Sequence, residues 1–430
     1  MSNFSNSVRD VKADFMLFAS EFVIPSCDRP RAKFIIDMAY GILRSGSSLV
    51  SEVARALDEG AGLNTPEKRL TRGLAGFDLS GAAAGFMSRV ASRMIPVPFE
   101  VEVDESDVAK PCGKAFEAIG WIHDGSKEGR PKEKGYLVTG MIGLGGGKTP
   151  VPLHLEVYST SMEGYKSLYW QTVGGLSSFS ESIAEGASGT VAFDRGYDSS
   201  AYANWCWEKG YHFMIRAKNT RRYRTKHGYE TAFQIASRYK GRYSTSFRNG
   251  DGELVSVKFS PIAIEHRDFL HPMWIVMEWF PREKERRVYI TNADCSDKRG
   301  CVDALRSYRM RWRIEEFFRF VKQEYGLERF MVRGLASING LAFCITVAVV
   351  FISRTIIAKG RVYRDCLNAY RSFSDKVMEE GIIKEYGEEG LMMYRVKRGM
   401  KAILAHSKSV PKIPGRDRRK EKGPIQLKLF

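Results

Sequence analysis

At Pro98 the hydrophobic pattern of the chain changes period, and that change limits the folds open to it. Before it, apolar residues recur at helical spacing, as in Ala32–Leu43 and Leu49–Leu57. Thr65-Pro66-Glu67 opens another helix, with proline at its first position and an acid in its first turn. After it, Phe99–Val103 alternates with the period of two that a half-buried strand requires. Gly135–Leu144 and Thr149–Tyr158 read as two more strands joined by a glycine-rich turn. Then come a helix over Tyr165–Val173, a short buried strand Thr190–Phe193, a helix from Ser199 to Lys209 and a fifth strand Tyr211–Ala217. Three strands in meander followed by strand–helix–strand predict an α/β fold, a five-stranded mixed sheet with helices on both faces.

From Lys218 to about Ser296 the runs shorten and alternate: Arg242–Phe247, Leu254–Phe259, Met273–Trp279 and Arg287–Thr291. These predict a β-rich insertion at 218–296. The expected organisation is a helical region at 1–95 and a core of 96–217 with 297–360. A C-terminal helical region follows at 361–408, then a basic tail at 409–430 without a core of its own. The N-terminal helices carry Lys68, Arg69 and Arg72 and suit either DNA contact or a structural cap on the core.

The 430 residues carry a formal charge of +17, and the excess is concentrated. Between Arg216 and Arg248 there are ten basic residues and one acid, Glu230; from Arg395 to Phe430 there are twelve and two. The remainder is close to neutral. Two dense basic segments on a neutral body point to a polyanion partner. The seven cysteines are scattered and form no CxxC pair, which excludes a disulfide framework and a structural zinc site and fits a reducing, cytoplasmic setting. The longest apolar run, Leu341–Ile352, is shorter than the ~18 residues of a membrane span, so a buried helix and no membrane partner are expected.

Between Tyr308 and Lys322 the chain reads YRMRWRIEEFFRFVK. At about 100° per residue a helix would gather Tyr308, Arg311, Glu315 and Lys322 onto an arc of about 60°. A carboxylate flanked by two cations on one stripe suits a metal ion and a phosphate held together. Glu316 points about 100° away on such a helix and ranks below Glu315. Upstream, Asp104 closes the strand Phe99–Val103 and Asp194 closes Thr190–Phe193, with Asp107 falling past the first strand. If the two strands are neighbours, both carboxylates emerge at one edge and Glu315 can meet them. Three carboxylates without a histidine are hard oxygen ligands, the donor set of Mg²⁺ or Mn²⁺.

These segments, VDESDV around Asp104, VAFDRGYDS around Asp194 and the Tyr308–Arg311–Glu315–Lys322 spacing, resemble the three signatures of insertion-sequence DDE transposases of the IS-four type. The resemblance spans about residues 95–355. It implies a ribonuclease-H-like core interrupted by a β-strand insertion before the glutamate. It also implies a homodimer that synapses two transposon ends, Mg²⁺-dependent cleavage with two ions, and joining of the freed 3′-OH to target DNA. Asp104, Asp194 and Glu315 match the metal-binding triad, and Tyr308, Arg311 and Lys322 the remaining signature positions, which contact phosphate or end DNA. The alternatives are a ribonuclease-H-like nuclease without strand transfer and a catalytically idle DNA-binding relative.

Within the first basic segment, Arg221, Arg222, Arg224, Lys226, Arg238, Lys240 and Arg242 are candidates for double-stranded DNA, interleaved with tyrosines that can stack on bases. Trp274 and Trp279 are candidates for stacking on an unpaired base. Five residues apart on a strand they face opposite sides, so one belongs to the core. GLGGGKTP at 143–150 is not a phosphate-binding loop, because that motif needs glycine where the chain has Ile142 and here joins two strands. The last five residues resemble the pentapeptide that docks into bacterial sliding clamps, through Gln426, Leu427, Leu429 and Phe430, with Lys428 departing from it; the alternative is a tail folded back on its own domain.

Overall fold

The structure is a computed structural model that describes residues 5–413, except 61, 126, 226, 249–253, 266–268 and 283–284 and the side chains of 248, 382 and 385–390. Lys226 and the four pentapeptide residues lie outside the described residues.

Five helices come first: α1 Ser5–Phe18, α2 Arg29–Ser45, α3 Val50–Leu57, α4 Asn64–Gly76 and α5 Ser80–Met94. Asp28 caps α2 by accepting from the Arg31 amide, and Gly46 ends it in the left-handed conformation at φ 68°. The strands are β1 Phe99–Ala109, β2 Gly120–His123, β3 Lys132–Leu144, β4 Pro150–Tyr158, β5 Gly189–Phe193 and β6 His212–Arg216. Helices α6 Leu168–Ser180 and α7 Ser200–Glu208 flank β5 in the chain. The first lies a few residues beyond its expected place.

Within the sheet the core strands run β4-β3-β1-β5-β6. β1 pairs antiparallel with β3 and parallel with β5, and β5 pairs parallel with β6. A three-stranded meander beside two parallel strands, with helices between them in the chain, is the mixed α/β sheet expected. It does not stop at five strands. The insertion supplies β7 Arg222–Thr225 and β8 Gly228–Thr231 as a separate hairpin, and a short helix α8 Ala232–Ser237. It then supplies β9 Tyr243–Arg248, β10 Leu254–Ile264, β11 Met273–Phe280 and β12 Glu285–Thr291, which continue the main sheet beyond β6 in the order β12-β11-β10-β9. The insertion is thus an extension of the main sheet, because β12 offers its edge to β6 through Tyr289, Ile290 and Thr291.

Six further helical segments include α9 Lys298–Met310, α10 Trp312–Glu324, α11 Leu335–Ala358, α12 Arg361–Arg371 and α13 Lys376–Ala405. α11 is longer than its apolar run: 24 residues, long and apolar enough by length and composition to cross a membrane. Its side chains are buried among the N-terminal helices and the sheet, with Phe351 edge-on to Phe15 at 5.2 Å. Asn339 on α11 both donates to and accepts from the Val157 backbone at 2.9 and 2.8 Å, closing part of the open edge of β4.

Candidate active site

Asp104 stands in the middle of β1, not at its end, because the strand runs on to Ala109 through a segment with little apolar alternation. The same extension keeps Asp107 inside the strand, on the face opposite Asp104. Register then does what proximity in sequence cannot. Val103 is opposite Phe193 across the parallel β1–β5 pair, so Asp194, just past the end of β5, follows the same register as Asp104 within β1. The chain turns directly after Asp194, whose carbonyl accepts from the Tyr197 amide at 3.0 Å.

The Tyr308–Lys322 segment is not one helix. α9 ends at Met310 and α10 begins at Trp312, with Arg311 between them. The amides of Arg311 and Ile314 bond three residues back, at 3.0 and 3.1 Å, instead of four. From this junction the Arg311 guanidinium reaches both acids. Its Nη1 donates to Asp104 Oδ2 at 2.9 Å and its Nη2 to Glu315 Oε1. Arg311 and Asp104 are largely buried, whereas the Glu315 side chain is 53% exposed.

α10 is held against the sheet at this point by a gap in β3. Gly140 is the register partner of Asp104, and a Cβ on Gly140 would come within 2.5 Å of the Phe318 ring. Only glycine lets the helix come this close. Burial pushes the Asp104 carboxyl up to about 6 against the pull of Arg311, with the Asp194 and Glu315 carboxylates adding to the rise. Asp104 therefore feels the charge of both other acids.

Three carboxylates are the right donors for a hard divalent ion, but among the described residues no three His, Cys, Asp or Glu side chains stand close enough to share one. The protein's own cation, the Arg311 guanidinium, lies between two of the acids, and a cation is what a paired carboxylate site demands. The donor set fits the group.

The other signature residues divide. Tyr308 is packed against Tyr289 with ring centroids 4.5 Å apart and sits beside Arg311, its hydroxyl buried. Burial pushes its phenol up to about 12. Lys322, two turns further along, pairs with Glu328 at 3.0 Å and not with the acids. Glu316 is buried and accepts from Arg313 Nη1 at 3.1 Å, a structural pair.

Of the basic candidates, Arg221 turns inward, its Nε 2.9 Å from Asp198 Oδ1 and its guanidinium over Phe269. Arg222, Arg224, Arg238, Lys240 and Arg242 are exposed, and Tyr229 beside Arg224 in the hairpin is 60% exposed. Arg238 pairs with Glu230. The two tryptophans separate as their spacing requires. Trp274 packs into the small cluster that contains Tyr289 and borders Tyr308, whereas Trp279 packs on the main core with Arg286 4.4 Å over its ring.

Three acids and bases of interest escaped sequence reasoning. Glu102 lies two residues before Asp104 on the same face, fully buried with Oε2 unpaired, and burial raises its carboxyl well above the usual range. Glu278 and Arg309 form a second buried ion pair under α9. The alternation of β1 and the lone acid in MWIVMEWF were the available signals.

No curated protein matches the chain. One similar solved structure is the cryo-EM structure of the piggyBac transposase synaptic complex with hairpin DNA; the similarity covers 92% of this chain and 80% of that chain, at 10% identity and a TM-score of 0.41. Residues 179–351, which hold Asp194, Arg311 and Glu315, match the family model of the transposase DDE domain.

Proposed function

We propose that the chain is a DDE transposase of the IS-four type, which cuts DNA at the terminal inverted repeats of a bacterial insertion sequence and joins the freed 3′-OH to target DNA. The observation that carries the reading is the Arg311 bridge. It draws Asp104 and Glu315 together across more than two hundred residues, beside the end of β5 that carries Asp194. Divalent ions held by these acids, Mg²⁺ or Mn²⁺, would supply Lewis acidity to the attacking and departing oxygens of a phosphodiester.

The chain's own residues do the rest. Arg311, released from the acids, offers a planar fork to a phosphate, and Tyr308 sets the wall beside it. Lys322 reaches the DNA backbone by leaving Glu328, a partially exposed pair that costs little to open. Arg222, Arg224, Arg238, Lys240 and Arg242 carry the flanking duplex, and Trp274 or Trp279 stacks on an unpaired base. Two copies hold two ends, and the pentapeptide with Gln426, Leu427, Leu429 and Phe430 engages a sliding clamp.

The test is end DNA with Mg²⁺, followed for binding, cutting and joining. Wild type is expected to do all three. Asp104→Ala, Asp194→Ala and Glu315→Ala are expected to bind end DNA and leave it uncut. Cleavage at the wild-type rate by Glu315→Ala would remove the mechanism.

A further inference from the structure

Beneath the last turn of α9 lies a buried charge that packing alone does not call for. On β11 the even positions face α9: Trp274 and Val276 are apolar, and the next is Glu278, 2% exposed. A carboxylate taken out of water is tolerated only when its oxygens are satisfied, and both are. Oε1 accepts from Arg309 Nη2, and Oε2 from the Tyr289 hydroxyl at 3.0 Å. Each partner leads to the same place. Arg309 adjoins Tyr308, and its guanidinium lies 3.9 Å over the Phe247 ring of β9. The Tyr289 ring bears directly on the Tyr308 ring.

Arg311 is a single-residue junction between α9 and α10, so its direction depends on both helices. α10 is seated on the core through Phe318 and Gly140. The end of α9 is seated on the insertion through Tyr289, Phe247 and Glu278, and Glu278 holds both Arg309 and Tyr289. We infer that Glu278 is a positioning residue, which fixes the turn bearing Tyr308 and Arg311 from the insertion side and never touches DNA or metal. The inference rests on the transposase reading for its catalytic consequence, though not for the contact itself.

The full-length chain tests it in two ways. Hydrogen–deuterium exchange over residues 306–316 reads the position directly, and cleavage turnover is measured apart from end-DNA affinity. Glu278→Ala is expected to speed exchange over 306–316 about tenfold while α11 stays protected. It should also lower turnover about a hundredfold with the Kd for end DNA within about twofold of wild type. Glu278→Gln, which keeps a hydrogen-bonding group in place, should recover at least about tenfold of that loss. If α11 loses protection in Glu278→Ala, Tyr289→Phe and Arg309→Lys decide by the same exchange criterion. Wild-type exchange over 306–316 in folded variants overturns the inference. A wild type that leaves DNA uncut, with 306–316 loosened in Glu278→Ala, sinks the transposase reading and upholds the positioning role.

Discussion

Arg311 stands between Asp104 and Glu315, where a divalent ion would otherwise answer their charge, so the two cations compete. Charge-assisted hydrogen bonds of this kind contribute about 1.5–3 kcal/mol when sheltered, less where Glu315 meets solvent. Arg311→Gln is therefore expected to bind Mn²⁺ several-fold more tightly than wild type, read by electron paramagnetic resonance, while cutting DNA more slowly. Unchanged Mn²⁺ affinity would show that the guanidinium does not compete. Asp104 adds a pH dependence whose sign follows from its raised carboxyl, at about 6. Below the ordinary carboxylate range Asp104 is protonated in both folded and unfolded chains. As pH rises through 4 to 6 the unfolded chain ionises first, so the metal-free fold loses stability, by up to about 3 kcal/mol, and levels off above. Denaturant melts of wild type against Asp104→Asn should differ in this window and run parallel above it.

At the scale of elements, the site is made by how closely α10 lies on β3 and β1. Gly140 permits that approach, since the Phe318 ring occupies the space of any Cβ there. Gly140→Ala must push Phe318, and with it the turn carrying Glu315, off the sheet. Overpacking of this kind costs about 1–3 kcal/mol. A lowered Tm together with lost cleavage is expected, and Phe318→Leu in the same chain should return part of both. A Gly140→Ala chain that melts and cuts like wild type would show that the helix is free to shift. The α9–α10 junction belongs to the same scale. There Tyr308 packs against Tyr289 of the sheet extension while Arg311 reaches the acids.

For the whole molecule, the insertion matters because it is continuous with the sheet that carries Asp104 and Asp194. The exposed Arg222 and Arg224 lie on its separate β7–β8 hairpin, and Lys240 and Arg242 just before β9, the outermost strand of the extension. If these cations meet phosphates, end-DNA affinity falls steeply with salt, and each neutralised contact lowers the slope of log K against log salt by about one. Arg222→Ala with Arg242→Ala should flatten that slope by about two without altering cleavage at saturating DNA. Arg221→Ala should instead lower Tm, because it strips a partner from the buried Asp198. A salt slope unmoved by the exposed pair would place the DNA elsewhere.

Much of this was legible in the chain because it depends on near neighbours. Strand and helix periods, the glycine turn between β3 and β4, and the spacing of Tyr308, Arg311 and Glu315 are set by backbone geometry over a few residues. That local logic is why the mixed α/β sheet could be read in advance and why the three acids stood out as candidates. Tertiary structure decided what depends on residues far apart. The run of β1 past Asp104 is stabilised by pairing with β3, not by its own alternation, and the meeting of Asp104 with Asp194 is a matter of register. The break at Arg311, the diversion of Lys322 to Glu328 and the joining of β12 to β6 likewise answer to partners that only the folded chain brings near. Pattern is a property of sequence neighbours, whereas pairing is settled by which distant surfaces are buried together.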